Sequence, residues 1–554
     1  MPRTGGPMAR TARQFALPLD GLLGISRRGT QWYYATMTRK LPHLAARKMR
    51  ACLPTLDARH ASGQLGTLGK SAQEILPRPL LVALALAAPL LFTLGLGTRA
   101  AGAERPRAPL GTDQPAPFPR DTGYRGAWYA NQPSGDEYRY KYSGGFATYP
   151  HQTVPCALYD AAVDRTFFCY NGAVADGKSL LHLVGEFDHA TGRVSRPVIL
   201  LDKQTTDAHD NPTLMLDDAG HVWVFSAAHG RARPAYIHRS TAPHSIDRFE
   251  RIAETSFSYA HPWWIPGRGF LFAQTHYLKG RQLAIQTSPD GRDWSKPRPF
   301  ALMEQGSYQV TWRRGTRLAT VFDMHPEPIG LNARANIYFA QTDDFGQSWQ
   351  TSTGETLALP LTNPQNPALV YDSRADQKLV YLKDLNFDAE GWPIILYLVS
   401  NGYHSGPRHG LRTWYTLRWT GRDWDRREFT TSDHNYDHGS LFVDEQGRWQ
   451  VVAPTDPGPQ PWTTGGEMVL WQSDNQGATW RRVRSLTSGS SRNHTYARRP
   501  VDAHPQFYAL WADGNPLEPS QSSLYFTTRD GAAVYRLPRE MTGDSALPER
   551  LSVP

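Results

Sequence analysis

From Pro155 onward, short apolar runs alternate with polar or glycine-containing turns, and seven strand-turn-strand pairs recur: CALYDAAVDRTFFCY, TLMLDDAGHVWVF, WWIPGRGFLFA, VTWRRGTRLATVF, ALVYDSRADQKLVYL, SLFVDEQGRWQVV and PVDAHPQFYALW. Their turns fall near Val163, Gly220, Gly267, Gly315, Ala375, Gly447 and His504, at intervals of 57, 47, 48, 60, 72 and 57 residues. A repeat of that length in a chain without long helical patterns predicts an all-β fold, a seven-bladed β-propeller with four strands per blade. Tyr124 to Tyr129 is the candidate strand for closing the ring.

A second ladder runs through the same region. TDDFGQSW (342–349) matches the Asp-box pattern Ser/Thr-x-Asp-x-Gly-x-Ser/Thr-Trp; SDNQGATW (473–480) carries Asn475 for Asp, and SPDGRDW (288–294) is a shortened form. Their tryptophans are 55 and 131 residues apart, one and then two blade periods, which puts the boxes in blades three, four and six. Asp and Gly close such a turn while Trp packs between strands, so the box is a structural device of the outer hairpin.

Composition agrees with this architecture. Hydrophobic residues make up 40% of the 554 positions and aromatic residues 11%, while 47 Gly and 43 Pro disfavour long helices. The net charge of +9 suggests an anionic partner, but it is concentrated at one end. Residues 1–103 hold 14 Lys/Arg against Asp20, Asp57 and Glu74, whereas residues 104–554 hold 46 basic and 48 acidic side chains. Bulk attraction to nucleic acid is therefore not expected of the larger part. Within the basic part, the apolar run Leu80 to Gly97 follows Arg78 and precedes Ala101-Gly102-Ala103. These are the features of a secretory signal, and the expectation is export with cleavage near Ala103; the alternative is an anchor retained at 80–97. The domain reading is a leader over 1–103, a Pro-rich linker over 104–121 and the propeller over 122–554. Beyond Cys52 in the leader, Cys156 and Cys169 flank the first hairpin and are candidates for a cross-strand disulfide in an exported protein, with two buried thiols as the alternative.

In a propeller, the residue entering the first strand of each blade and the residue leaving the second lie on one rim. Those positions hold His151, Asn171, Asp207 to Asn211, His229, Tyr259, His261, His276, Tyr308, Gln309, His325, Asn363, Asn366, Asp384, His434 to Asp437, His494, Tyr496, Arg498 and Arg499. Eight of the 17 histidines beyond residue 103 converge there. Imidazoles beside Tyr, Asn and Arg can exchange protons near neutral pH and hold a carboxylate. No paired carboxylates stand out, and Asp207, Asp210 and Asp437 serve equally as turn caps or partners of histidine. There is no phosphate loop and no regular zinc spacing, although clustered histidine can bind an ion such as calcium or zinc; no cofactor is required. A His, Tyr and Arg site suits removal of the proton beside a carboxylate, the first step of β-elimination in a uronic acid polysaccharide. A non-catalytic glycan-binding propeller is the competing reading, with Trp263, Trp264 and Trp462 stacking on sugars.

The Asp boxes and the strings GYRGAWY (123–129), YKYSGGFATYPHQ (140–152), DAHDNP (207–212), SYQVTW (307–312), TSDHNYDHGSL (431–441) and YARRPVDAHPQFYALWADG (496–514) resemble the BNR-4 repeat propellers. That family includes ulvan lyases and enzymes releasing L-rhamnose from glucuronic acid in arabinogalactan and gum arabic, and the longer overlap is with the second group. The resemblance implies a secreted enzyme cleaving rhamnose–glucuronate or related linkages, by elimination or, alternatively, by hydrolysis. Its partner would be an acidic rhamnose-containing polysaccharide. It also implies catalytic roles for His151, by likeness to the rhamnose–glucuronate group, and for His209, His229 and Tyr259, by likeness to ulvan lyases. The neutralising arginine of the lyases would fall near Thr275, where this chain has Gln274-Thr275-His276. Carboxylate binding would then pass to Arg231, Arg233, Arg334, Arg498 or Arg499, with Tyr308, Gln309, His325, His434, Asn435 and His494 completing the substrate site.

Overall fold

A computed structural model describes residues 118–146, 153–173, 179–278 and 280–554. The leader with its apolar run, most of the linker, Cys52 and His151 lie outside them. The described chain is all-β. Strands decline in burial along the repeat, from Leu379–Phe387 and Pro393–Ser400, which are buried almost throughout, to Trp424–Ser432, which is mostly half-buried. Repeated stacking of sheet faces produces this gradient, because only inner strands are covered on both sides by neighbouring repeats.

Seven successive antiparallel meanders can be traced, with inner strands Ala157–Asp160, Pro212–Leu216, Ser258–Ile265, Gln309–Arg314, Leu379–Phe387, Ser440–Val443 and Asn493–Arg498. The second to fifth are separate four-stranded sheets; the sixth and seventh are joined by the pair Gly466↔His494. Residues of several inner strands, among them Val310, Trp312, Asp384, Ser440 and Arg498, line a narrow axial cavity of about 20 Å³. The C-terminal part returns to the first meander, where Val501 bridges to Leu158 and Ser545–Ala546 pairs with Arg193–Ser195. The expected closing strand is Gly126–Pro133. It pairs with Tyr140–Gly144 and Ser520–Ser522 and touches the first meander only at Gly172, so it bridges repeats instead of completing one.

One expected hairpin is reassigned. Leu369–Tyr371 is the outer strand of the fourth meander and Leu379–Phe387 the inner strand of the fifth, so the turn near Ala375 is a crossover. The inner hairpin of the fifth meander turns at Ala389 to Gly391. Two apolar runs about a polar stretch look alike whether the chain reverses within a sheet or crosses between sheets.

The three Asp boxes lie where outer hairpins were expected. Asp344 accepts from Ser348 N and Oγ, and Gly346 N donates to Thr342 Oγ1, with Trp349 buried beside them. Asn475 and Asp290 close their turns by the same pattern. A fourth turn uses Thr528 and Asp530 in the seventh meander without a tryptophan.

The expected disulfide is not formed. Cys156, just ahead of Ala157–Asp160, and Cys169 on the neighbouring strand are buried free thiols, Cys169 N donating to Cys156 O. Arg498 Nε donates to the Cys156 sulfur at 3.4 Å, and burial pushes the Cys169 thiol up, which keeps it protonated and unreactive.

Candidate functional site

The site starts from a local turn. Asp207 accepts the backbone N–H of His209 at its own Oδ1 (3.1 Å), while Asp210 N donates to Asp207 O (3.1 Å), so T-D-A-H-D folds on itself before the second inner strand begins. The second side of that hairpin ends at His229, whose backbone N–H donates to the buried Asp210 (2.9 Å). Both loops are thereby tied to one carboxylate pair. The side chains follow: His209 Nδ1 and His229 Nδ1 donate to the two oxygens of Asp207, at 2.6 and 2.8 Å, and the rings stack with centroids 3.8 Å apart and planes 13° apart. In the neutral imidazoles this sets Nε2 as the basic nitrogen of each ring.

Electrostatics sharpen the roles. Burial pushes the Asp207 carboxyl up, but hydrogen bonds from His209 and His229 outweigh it and hold the group well below the usual carboxylate range. Burial lowers His209, so its ring is neutral at neutral pH despite the adjacent carboxylate. Tyr259 stands edge-on to His209 at 6.2 Å and to Tyr308 at 5.3 Å, and burial raises its phenol well above the ordinary value. Its backbone is left-handed (φ 49°) in a register break between Ser258 and His261, a bulge that re-aims a side chain at the strand entry. Gly230, Arg231, Ser258, His276 and Tyr277 line a depression of about 240 Å³ beside the histidine pair.

Three basic side chains, two of them arginines, surround these groups. Arg281 begins a strand and is paired in register with Tyr277 across a tight turn; its guanidinium lies over Tyr277 (5.8 Å) and Tyr308 (5.5 Å). It lies within electrostatic reach of His209. Arg334, almost fully buried, sits over Tyr308, Tyr381 and Tyr436 and donates to Tyr436 Oη at 3.1 Å. Lys141, on the strand Tyr140–Gly144, donates to Asn332. Burial, with Arg334 and Arg281 close by, pushes its ammonium down to about 6. An anion between such cations relieves their repulsion, so the arrangement favours a carboxylate or sulfate.

The expected residues divide accordingly. His209, His229, Tyr259, Tyr308 and Arg334 come together, and Arg231 is exposed at the edge of the depression. His325 packs edge-on to Tyr308 (4.7 Å) with Asp323 at 3.3 Å, and burial pushes it down to about 4. Arg233 is not available to a substrate carboxylate, because it is held by Asp207 (2.9 Å) and Asp210 (2.7 Å). Arg499 pairs with Asp384 and lies on Trp312 at the axis, and Arg498 donates to Thr153 O and Cys156. Gln309 bonds Gln274 O and Thr320 within the sheets. His434 contacts Ser405 and Thr464, Asn435 holds Arg412 and Tyr381, and His494 takes Ser490 and Trp511. These are internal supports. Of the three tryptophans, Trp263 is buried on Thr311 and Trp264 lies beside Asp217 and Asp218 at the hairpin-turn end, which removes two of the three proposed stacking residues from the rim.

Arg281 and Lys141 were missed by the positional reading. The register of HYLKGRQ, where a short turn sets Arg281 opposite Tyr277, is the signal for the first; Lys141 sits in a hairpin outside the repeats and carries no local signal.

Comparison with known proteins finds relatives of most of the β-rich part. The model of the BNR repeat-containing family matches residues 197–432. The ulvan lyase of Alteromonas sp. (strain LOR) is 24% identical over 426 residues, 68% of this chain and 84% of that protein. The ulvan lyase of Nonlabens ulvanivorans is 21% identical over 350 residues, 56% of this chain and 72% of that one. A solved polysaccharide lyase PL25 ulvan lyase superposes with a TM-score of 0.57 at 17% identity, covering 68% of this chain and 92% of its own. A second structure of that kind is bound to -[GlcA(1-4)Rha3S]- and gives 0.57 at 16% identity.

Proposed function

We propose that this chain, whose residues 197–432 match the BNR repeat-containing family, is a polysaccharide lyase that cleaves the bond at C4 of a uronate linked to rhamnose. The observation that carries the reading is the stacked His209 and His229 pair on Asp207, set beside Tyr259 and Arg281. Arg281, with Arg334 and Lys141 around it, binds the uronate carboxylate and lowers the cost of charge building up at C5. Nε2 of His209 or His229 removes the C5 proton. The C5–H electron pair forms the C4=C5 bond as the C4–O bond breaks, and Tyr259, kept protonated by burial, donates its proton to the leaving oxygen. Proton return from imidazolium to phenolate, directly or through water, resets the site.

Elimination is favoured over hydrolysis because the rim carboxylates are engaged. Asp207 is held by two imidazoles and Arg233 and Asp210 by Arg233 and Lys203, while the buried Asp323 accepts Tyr308 N through one oxygen. Most glycosidases use two carboxyl groups flanking the scissile bond. The test is incubation of the purified protein with ulvan and with gum arabic, followed by ultraviolet absorbance and mass analysis of the products. The expected product is an unsaturated uronate. Release of free rhamnose with saturated glucuronate would replace the lyase by a hydrolase, and saturable binding without product would leave a glycan-binding propeller.

A further inference from the structure

We propose that Asp164, His189 and His504 form a site for one divalent ion of the zinc type, which fastens the first meander to the last. Asp164 is in the inner hairpin turn of the first meander, in the left-handed region (φ 51°). His189 follows the strand Leu180–Asp188, and His504 lies in the connection from Asn493–Arg498 to Ala509–Gly514. Each offers one ligand atom, and the three atoms lie within 4.8 Å of one another. The imidazole centroids are 3.9 Å apart with planes at 56°, a tilt unlike the near-parallel stack at the other rim.

The surroundings fit a cation. Tyr159 Oη donates to Asp164 Oδ1 (3.0 Å), and His189 N donates to Asp164 O (3.0 Å), fixing the carboxylate against the strand end. Gln506 reaches both rings, its Oε1 3.1 Å from His189 Nδ1 and its N–H 3.2 Å from His504 Nδ1. Thr166 Oγ1 lies 2.9 Å from His189 Nε2. When His189 Nδ1 takes the ion, its proton moves to Nε2 and Thr166 becomes the acceptor, the outer hydrogen bond that orients a metal-bound imidazole. Two imidazoles, a carboxylate and an amide or water oxygen suit zinc in four-coordination. The neighbouring side chains Tyr159, Thr166 and Gln506 are uncharged, whereas the similar trio Asp207, His209 and His229 is ringed by Arg233 and Arg281, which oppose a second positive ion. The consequence is mechanical. The ion crosslinks hairpins of the first and last meanders, adding to the short bridges and the packing of Phe168 and Phe187 on Phe507.

The experiment is calorimetric titration of the chelator-treated protein with zinc chloride, with bound metal counted after gel filtration and unfolding followed by heating. The expected result is one zinc per chain and an unfolding temperature raised by about 3 °C at a hundredfold excess over Kd. His504→Ala and Asp164→Asn should each weaken binding at least about tenfold and abolish most of that shift, while His209→Ala keeps both. Two variants are used so that one failing to fold does not decide the matter. Absence of saturable binding overturns the proposal, as does binding unchanged in both His504→Ala and Asp164→Asn or lost in His209→Ala.

Discussion

Two trios of the same residue types sit at opposite ends of the strands. Asp207, His209 and His229 meet where the second meander's inner hairpin opens; Asp164, His189 and His504 meet at the hairpin turns of the first and last meanders. At the first, one carboxylate takes Nδ1 of both rings and is itself held by Arg233, so its charge is spent inside the protein. At the second, the two rings are tilted and face a glutamine, a threonine and a tyrosine-supported carboxylate. Residue identity alone does not separate a proton-transfer site from a metal site. The charges of the next ring of side chains do.

The most damaging break is Asp207→Asn. It releases both imidazoles from one tautomer, and we expect kcat to fall about 10³-fold with the fold intact by circular dichroism. Tyr259→Phe removes the proton donor and should cost about 10²-fold in kcat with little change in KM, read from initial rates; a loss confined to KM would assign Tyr259 to binding. Arg281→Gln should raise KM and lower kcat/KM by about 10-fold to 100-fold, and the deficit should narrow for a uronate methyl ester, which has no charge to neutralise. If both substrates lose equally, Arg281 is a packing residue.

A smaller effect concerns pH. Burial lowers His209 below 6.5, so the base is neutral above that value and protonates only as pH falls through its lowered pKa. The acid limb of kcat/KM should therefore have its midpoint below pH 6.5, and the raised Tyr259 should hold the alkaline limb above pH 10. Asp207 favours the protonated ring, so the residual activity of Asp207→Asn should show its acid limb at still lower pH; a shift upward would contradict the assigned pair. The smallest effect on chemistry is His504→Ala, for which kcat should be unchanged within about twofold while the unfolding temperature in zinc drops by a few degrees.

Much of the architecture is legible along the chain because it is written in local period. Six of the seven expected turns fall in inner hairpins, the last of them with its first strand at Asn493–Arg498 and not at Pro500, and each Asp-box turn closes through residues within four positions of one another. The T-D-A-H-D turn is legible for the same reason, since Asp207 caps its own loop. The fifth hairpin misled because hydrophobicity records that two strands exist and not which sheet each enters. At the site, His209, His229 and Tyr259 follow from their places at strand ends. The partners of the arginines do not. Arg233 is consumed by Asp207 and Asp210, Arg499 by Asp384 from the fifth meander, and Arg281 reaches the tyrosines only through the register of its hairpin. The sequence by itself determined the repeat period, most of the inner turns and the strand-end places of His209 and His229, because those depend on neighbours a few residues away. Ring closure decided which cation faces the pocket and brought His189 to His504, because a charge takes the nearest partner in space and the chain's own spacing holds no record of that distance.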